Sequence, residues 1–326
     1  MKPTSRTACL WAAAIFGSAA TQAAAQAFPS KPIRIVVPFP AASGADILAR
    51  AVAAKLTERS GQQALVDPRP GGSGIVAAEI VLKSPADGYT LMVGTSSTHA
   101  ISVSTSRNLP YHPVRDFVPV SKIAVVPMLM TVHPSVPVKN ARDVIAFARA
   151  RPGQIAFATA GVGTTGHLAG ELFKSMARVD ILHVAYRGSP QALIETVAGQ
   201  VSMAISPILT SLPHARAGKL RPIGVTTPRA SASAPEVPPL AVAAGLPGYE
   251  ATLWYGLFAP AGTPRESVAR LSAEVVAILK LSDVAESLKK QGAEPEGMTP
   301  EQFAAYQQSE IAKWAKVVKE AGITVN

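Results

Sequence analysis

The sequence predicts an α/β protein built as two lobes with a ligand cleft between them, and three observations lead to this fold class. The chain has 326 residues, which is enough for two ordinary domains. A unit of apolar strand, small-residue loop and helix occurs early in the chain and again in its middle. Two extended segments, Val118–Val132 and Glu250–Ala259, bracket the middle part. Paired strands crossing between two lobes would give this layout.

The composition supports a folded core and an anionic partner. Hydrophobic residues make up 48% of the chain and charged residues 16%, which excludes a disordered protein. The net charge is +10, and removing Lys2 and Arg6 leaves +8. A basic chain suits an anionic ligand or an anionic membrane face, although a solvated basic surface is an open alternative. No basic cluster contains interleaved aromatic residues, so no nucleic-acid partner is expected.

The first 27 residues have the pattern of a cleaved signal peptide. A basic start is followed by the apolar run Leu10–Ala20, and Ala25-Gln26-Ala27 matches a cleavage site. The mature chain would then begin near Phe28 and be exported to the periplasm. Cys9 is the only cysteine and would be removed, which excludes disulfides, zinc–thiolate sites and cysteine nucleophiles.

The early unit begins with the apolar strand Ile33–Val37 and the loop that follows it. Ser43 and Asp46 form a capping-box-like start for the next helix. Asp46 either caps that helix or meets an amine group of a ligand. The candidate ligand-binding residues of this unit are Phe39, Ala41, Ala42, Ser43 and Asp46.

A second group of candidates follows the apolar strand predicted for Tyr89–Val93. Ligands in open α/β sheets sit beyond the carboxyl ends of the strands. This places Thr95, Ser96 and Ser97 beside the early loop, and Thr95 and Ser96 are taken as binding residues. A solvated turn rich in hydroxyl groups is the alternative.

The middle unit is the clearest candidate site. A strand is predicted for Ile155–Thr159 and a helix for Gly166–Met176, with small residues between them. The first turn of a helix has backbone N–H groups without internal partners, and the helix dipole places positive charge there. Gly163 allows a ligand to approach this backbone, and Thr164 and Thr165 add hydroxyl groups. An anion site is therefore predicted.

The same stretch matches a dinucleotide-binding fingerprint, Gly161-x-Gly163-x-x-Gly166. The acid that should bind the ribose lies about 20 residues on, at the end of the next strand. Asp180 has that distance but precedes the strand Ile181–Tyr186, which disfavours NAD. A loop without any ligand remains possible. His167, in the first helical turn, either donates a hydrogen bond to a ligand or caps its own loop.

The remaining predicted elements of the second lobe and the tail follow in order. In the second lobe they are helix Ala141–Ala150, strand Ile181–Tyr186, helix Pro190–Ala198 and strands Val201–Ile205 and Arg221–Thr226. An irregular connection over 227–248 and three tail helices, Glu266–Leu281, Asp283–Gln291 and Glu301–Glu320, complete the chain. The predicted division is 1–27 for the signal peptide, 28–126 with 248–326 for the first lobe, and 127–247 for the second.

Motifs of metal and covalent chemistry are absent from the sequence. The six histidines show no i, i+4 pair and no H-E-x-x-H motif. No G-x-S-x-G elbow or P-loop occurs either. The sequence therefore predicts no metal, no cofactor and no catalysis, and an enzyme is only the third alternative.

Several sequence motifs of the chain resemble those of the Bug-type periplasmic binding proteins. These proteins are the substrate-binding components of tripartite tricarboxylate transporters. The resemblance covers essentially the whole mature chain and is highly specific. The matching motifs are FPSKPIRIVVPF (28–39), DGYTL (87–91), LPY (109–111), GTTGHLAGELF (163–173), VAYRG (184–188), LPGYE (246–250) and WYGLFAPAGTP (254–264).

The resemblance implies a type II periplasmic-binding-protein fold and a carboxylate ligand held by backbone N–H groups, hydroxyl groups and waters. Two departures from the family pattern bear on the ligand. Ala42 replaces a glycine of the first loop, and Ser206 stands where an acid could pair with a ligand amine. Phe39 and Tyr186 would provide aromatic walls. A dicarboxylate, a tricarboxylate or an aromatic monocarboxylate is therefore expected rather than an amino acid.

The function that follows from the resemblance is capture of a small carboxylate in the periplasm by a monomer. Membrane transporter subunits would be its partners. A ligand sensor that serves a membrane signalling protein, without transport, has the same sequence features and is the main alternative.

Overall fold

The computed structural model describes residues 28–106 and 108–323. The predicted signal peptide, residues 1–27, lies outside the described residues. The ten strands described are β1 Ile33–Val37, β2 Ala64–Pro68, β3 Thr90–Thr95, β4 Phe117–Val132, β5 Ala156–Thr159, β6 Leu182–Ala185, β7 Met203–Pro207, β8 Arg221–Val225, β9 Thr252–Pro260 and β10 Glu294–Pro295.

The helices lie between and after these strands. They are α1 Gly44–Ser60, α2 Ile75–Leu82, α3 Ser102–Thr105, α4 Ala141–Ala150, α5 Thr165–Ala177, α6 Ser189–Val197, α7 Ile208–Arg216, α8 Leu240–Ala243, α9 Arg265–Leu279, α10 Ser282–Gln291 and α11 Pro300–Glu320. A 3₁₀ turn over Gly72–Gly74 precedes α2, and a π-helical turn over Ser97–Ile101 precedes α3. In the described ranges, no helix is both long and apolar enough to cross a membrane.

The sheet has two similar halves that meet at β4 and β9. The strand order is β2-β1-β3-β9-β4-β7-β5-β6, with β8 and β10 also paired to β4. In the first lobe β2, β1 and β3 are parallel and β9 is antiparallel to β3. In the second lobe β6, β5 and β7 are parallel and β4 is antiparallel to β7. Each lobe is thus three parallel strands closed by one antiparallel strand, which confirms the predicted two-lobed α/β fold.

The strand β4 carries the chain from one lobe to the other. Its residues up to Pro127 pair with β9, and those from Met128 onward pair with β7 and β8. Pro119 and Pro127 lie within this strand, and the strand is nevertheless continuous. Pro119 lies at a shift in register, and Pro127 lies where the partners change, so neither removes a ladder hydrogen bond that the strand needs. The exact lobe boundaries remain a prediction.

Most other predicted elements are present with ends moved by one or two residues. A capping box begins α11, with Thr299 and Gln302 bonding reciprocally. Three helical segments were not predicted, and they are α3 with its preceding π turn, α7 and α8. Pro213 lies inside α7, and because proline disfavours a helix interior, the sequence did not indicate this helix. The buried residues Ile208, Leu209 and Leu212 pack the helix onto the sheet.

Candidate functional site

A small cavity lies where the two lobes meet. Its volume is about 30 Å³, enough for one or two waters or a carboxylate group. It is lined by Phe39, Ser43, Gly44, Ala45, Thr95, Ser97, Met128, Ala160, Thr164, Thr165, Gly166, Ser189, Pro207, Leu253 and Tyr255. The early loop, the end of β3 and the middle loop therefore come together as the sequence predicts.

Several helices begin at this cavity. The first residues of α1, α5 and α6 are Gly44, Thr165 and Ser189, and all three line it. The helix α7 begins directly after Pro207, another lining residue. Because the N-terminus of each helix carries unpaired N–H groups and partial positive charge, these helices together favour a negatively charged group in the cavity.

Side-chain caps hold the first turns of α1 and α5 in place. The Ser43 hydroxyl accepts the Asp46 N–H at 3.4 Å, and the Thr164 hydroxyl accepts the His167 N–H at 3.4 Å. The Thr164 hydroxyl also donates to the Gly161 carbonyl at 2.7 Å, which closes the middle loop on itself. Each cap uses a hydroxyl residue at the N-cap position, where such residues are preferred.

Hydroxyl groups of the two lobes contact each other beside the cavity. The Thr165 Oγ1 lies 2.8 Å from Ser96 Oγ and 3.2 Å from Ser97 Oγ. The Thr165 backbone N–H donates to Ser97 Oγ at 3.1 Å. The first N–H of α5 thus faces an oxygen acceptor from the other lobe. A carboxylate oxygen is a stronger acceptor for the same donor.

None of the described residues that line this cavity carries a formal charge. An anion there would be held by dipoles and hydroxyl groups. An ammonium group would have no anionic partner, and leaving a charge desolvated and unpaired costs several kcal/mol or more. The described residues also contain no cluster of His, Cys, Asp or Glu suited to a metal ion.

The imidazole of His167 serves its own loop. Its Nδ1 accepts the Gly163 N–H at 3.1 Å, and its ring stacks on His183 with the centroids 3.9 Å apart. Burial lowers the pKa of His167, and burial together with His167 lowers the pKa of His183 to about 3. Both rings are therefore neutral near pH 7. Of the two roles considered for His167, the structure contains the loop-capping one.

The carboxylate of Asp46 also serves its own loop. Its Oδ2 accepts the Ala42 N–H at 2.9 Å and the Arg50 Nε–H at 2.9 Å. Asp46 is 3% exposed and does not line the cavity. Of the two roles considered for it, the structure contains the cap.

Six other predicted binding residues do not line this cavity. Ser96 contacts Thr165 beside it, Gly163 lines the larger cavity described below, and the remaining four lie elsewhere. Ala41 and Ala42 lie at the exposed tip of the early loop, where Ala42 has the positive φ of 61° that favours glycine. Tyr186 packs against a small apolar cluster of the second lobe instead of forming a cleft wall. Ser206 is buried in β7, one residue before the lining residue Pro207.

Tyr255 lines the cavity but was not predicted as a binding residue from the sequence. Its hydroxyl group can donate a hydrogen bond. Tyr255 lies in β9, two residues after Leu253, and both line the cavity. Side chains two apart on a strand share a face, so the predicted crossover strand contained a signal for this pair. Ser97, Ser189, Met128 and Pro207 were likewise not chosen as binding residues.

A larger cavity of about 580 Å³ lies beside the small one and shares Ser97 with it. Its walls carry the hydroxyl groups of Ser73, Ser102 and Thr105 and the apolar side chains of Ile75 and Leu109. The backbone of the middle loop contributes as well, because Val162 and Gly163 line it. Together the two cavities offer a narrow anion pocket and a roomier space next to it.

Comparison with known proteins identifies relatives over almost the whole described chain. Residues 48–323 match the model of the tripartite tricarboxylate transporter family receptor. Protein BugT of Bordetella pertussis is 34% identical over 304 residues, which is 93% of each chain.

Two solved structures from Rhodopseudomonas palustris show similar folds. One contains adipate, is 41% identical, and superposes with a TM-score of 0.89 over 91% of this chain and 99% of that one. The other is MatC with bound malate, 33% identical, with a TM-score of 0.85 over 89% of this chain and 100% of that one. The resemblance to the Bug-type proteins is thereby confirmed, as is the periplasmic-binding-protein fold with its ligand cleft between lobes.

Proposed function

The chain belongs to the tripartite tricarboxylate transporter receptor family, and from this membership and its cleft we propose that it captures a small dicarboxylate in the periplasm. It then delivers the ligand to the membrane subunits of a transporter. The observation that carries the proposal is the uncharged cavity at which α1, α5 and α6 begin. Helix N-termini and hydroxyl groups suit a carboxylate there.

The sizes of the two cavities favour a ligand with a body as well as a carboxylate. The pocket of about 30 Å³ takes one carboxylate group, and the remainder extends past Ser97 into the adjacent space of about 580 Å³. Ser73 and Ser102 line that space, and their hydroxyl groups donate to the Val162 and Thr98 carbonyls. The adipate and malate in the related structures are dicarboxylates, which supports the same ligand class for this chain.

Calorimetry with matched ligands tests the proposal. Adipate and malate should bind, whereas adipamide, which has the same shape as adipate but no charge, should not. Glutamate should bind much more weakly than adipate, because its ammonium group would meet no anionic lining residue. Equal binding of adipate and adipamide, or tighter binding of glutamate, would contradict the proposal.

The variant Thr165→Ala tests the site itself. It removes the hydroxyl that lies within hydrogen-bond distance of Ser96 and Ser97. A hydrogen bond to a charged group contributes about 1.5–3 kcal/mol, so adipate binding should weaken about tenfold or more. Thr196→Ala is the control, because Thr196 is buried in α6 and bonds only its own helix at the Ala192 carbonyl. Unchanged affinity in Thr165→Ala would mean that the middle loop is structural.

Delivery to a transporter is tested in cells of the source organism. Deletion of this gene should abolish uptake of the ligand that calorimetry identifies, and expression from a plasmid should restore it. Normal uptake with loss of a transcriptional response to that ligand would instead identify a sensor.

A further inference from the structure

Tyr255 lies at the floor of the cleft, in the strand that links the two lobes. Its backbone pairs with Thr95 of β3 on one side and with Ala124 of β4 on the other. Two ladders therefore fix its position, and its ring is 3% exposed. The side chain ends at the cavity.

The Tyr255 hydroxyl has no hydrogen-bond partner among residues 28–106 and 108–323, while two other buried tyrosines of the chain do. The Tyr111 hydroxyl donates to the Thr98 carbonyl at 2.8 Å, and the Tyr249 hydroxyl donates to the Ala169 carbonyl at 3.0 Å. The Tyr255 hydroxyl thus borders the cavity without bonding the described protein, and its proton is free for a ligand.

The hydroxyl oxygen lies against the first residue of α1. A Cβ added to Gly44 would lie 2.5 Å from the Tyr255 hydroxyl oxygen and 3.5 Å from Leu209 Cδ1. Glycine at this position therefore leaves space for the tyrosine beside a helix N-terminus. The phenol and the N–H groups of α1 border the same cavity, and both are hydrogen-bond donors.

The neighbouring hydroxyl groups are already engaged with each other. Thr165 Oγ1 contacts Ser96 and Ser97, and Thr95 Oγ1 lies within reach of the Thr98 N–H at 3.3 Å. Burial raises the pKa of Tyr255, so its oxygen carries a proton at neutral pH. Tyr255 is therefore a donor at the cavity that makes no competing bond within the described protein.

We propose that the Tyr255 hydroxyl donates a hydrogen bond to the ligand carboxylate and is a determinant of affinity for carboxylates. This inference rests on the proposed function and names a residue within that site. The ligand oxygen supplies the acceptor that the described residues do not provide for this hydroxyl. This hydrogen bond therefore contributes to the affinity for the ligand and not to the stability of the ligand-free protein.

The test compares Tyr255→Phe with Tyr249→Phe. Each variant keeps a buried aromatic ring and removes one hydroxyl. Adipate affinity is measured by calorimetry, and stability without ligand is measured by urea unfolding. For Tyr255→Phe we expect binding weakened about tenfold or more and a urea midpoint that is unchanged or higher. For Tyr249→Phe we expect the reverse, because its hydroxyl bonds the Ala169 carbonyl: a lower midpoint and unchanged affinity.

Two results would overturn the inference while leaving the proposed function in place. One is unchanged adipate affinity in Tyr255→Phe under conditions in which Thr165→Ala binds weakly. The other is a fall in the urea midpoint of Tyr255→Phe as large as that of Tyr249→Phe, which would show that the hydroxyl bonds the protein. Absence of carboxylate binding by the unmodified protein would instead contradict both proposals.

Discussion

The loops before α1 and α5 lie on opposite sides of one cavity and follow the same strand–loop–helix pattern, yet they satisfy their N–H groups differently. In the early loop, the Asp46 carboxylate accepts the Ala42 N–H. In the middle loop, the first turn of α5 contains no acid. Its Gly163 N–H donates to the His167 ring, and its Thr165 N–H donates to Ser97 across the cleft.

The two loops differ in whether a carboxylate lies in the first turn of the helix that follows. A carboxylate within the first turn of α1 partly neutralises the positive end of that helix, whereas α5 has only hydroxyl and imidazole acceptors there. Two loops with the same sequence pattern are thus unequal anion sites.

The glycines in these two first turns differ as well. A Cβ on Gly166 would lie 2.6 Å from the Ile205 carbonyl oxygen, which belongs to the backbone of β7. A Cβ on Gly44 would instead meet the end of the Tyr255 side chain. The middle glycine therefore allows helix-to-sheet packing, and the early glycine leaves room at the cavity.

The largest expected effect comes from substituting these glycines. Gly166→Ala pushes α5 away from β7 and should lower the free energy of unfolding by about 1–3 kcal/mol. Gly44→Ala should cost less stability, because the higher helix propensity of alanine offsets part of the cost of displacing the Tyr255 hydroxyl. Its methyl group also reduces the cavity and should weaken adipate binding strongly. Urea unfolding and calorimetry of both variants provide the measurement. Equal stability losses would contradict the distinction between backbone and side-chain neighbours.

Local features of the site could be predicted from the sequence, whereas features that depend on the tertiary fold could not. The cap at Ser43 depends on neighbours in sequence and was predicted, whereas Thr164, which caps α5, was predicted only as a ligand-binding residue. Tyr186 was expected at the cleft because it ends a strand. However, β6 is the last strand in the sheet order and lies furthest from β9, whereas Pro207 ends β7 next to β4. Strand order is a tertiary property that one sequence does not reveal.

The role of Tyr255 was unpredictable for a related reason. Its position on β9 follows from the strand period, but whether its hydroxyl has a partner depends on residues far away in the chain. The helix α7 was missed because Pro213 disfavours a helix locally, while burial of Ile208 and Leu212 stabilises it. In both cases tertiary packing decides the outcome.

A smaller effect is expected from Asp46→Ala. This change removes the acceptor for the Ala42 N–H and should lower the free energy of unfolding by about 1–2 kcal/mol, as loss of a helix cap does. Adipate affinity should stay within about twofold, because Asp46 does not line the cavity. Asp143→Ala is the matched control, since Asp143 makes the same bond to the Lys139 N–H at the start of α4. Loss of amino-acid binding in Asp46→Ala alone would show that Asp46 contacts an ammonium group.

The smallest expected effect concerns a contact between the two lobes at the edge of the larger cavity. Ser73 Oγ donates to the Val162 carbonyl of the middle loop at 2.7 Å, and Ser73 has the positive φ of 52°. A non-glycine residue held in the left-handed region stores about 1 kcal/mol or more, which points to a functional constraint. This hydrogen bond holds the two lobes together at the edge of the larger cavity.

Ser73→Gly removes the hydrogen bond and relieves the backbone at the same time. Adipate binding should weaken about threefold to tenfold, the equivalent of one ordinary hydrogen bond, while the stability of the ligand-free protein does not fall. Ala42→Gly is the matched control, because Ala42 also has positive φ and its methyl side chain makes no hydrogen bond. It should leave affinity unchanged and raise the free energy of unfolding by about 0.5 kcal/mol. If both variants bind adipate like the unmodified protein, the Ser73 contact does not contribute to closure, and only the hydroxyl groups around Thr165 join the two loops.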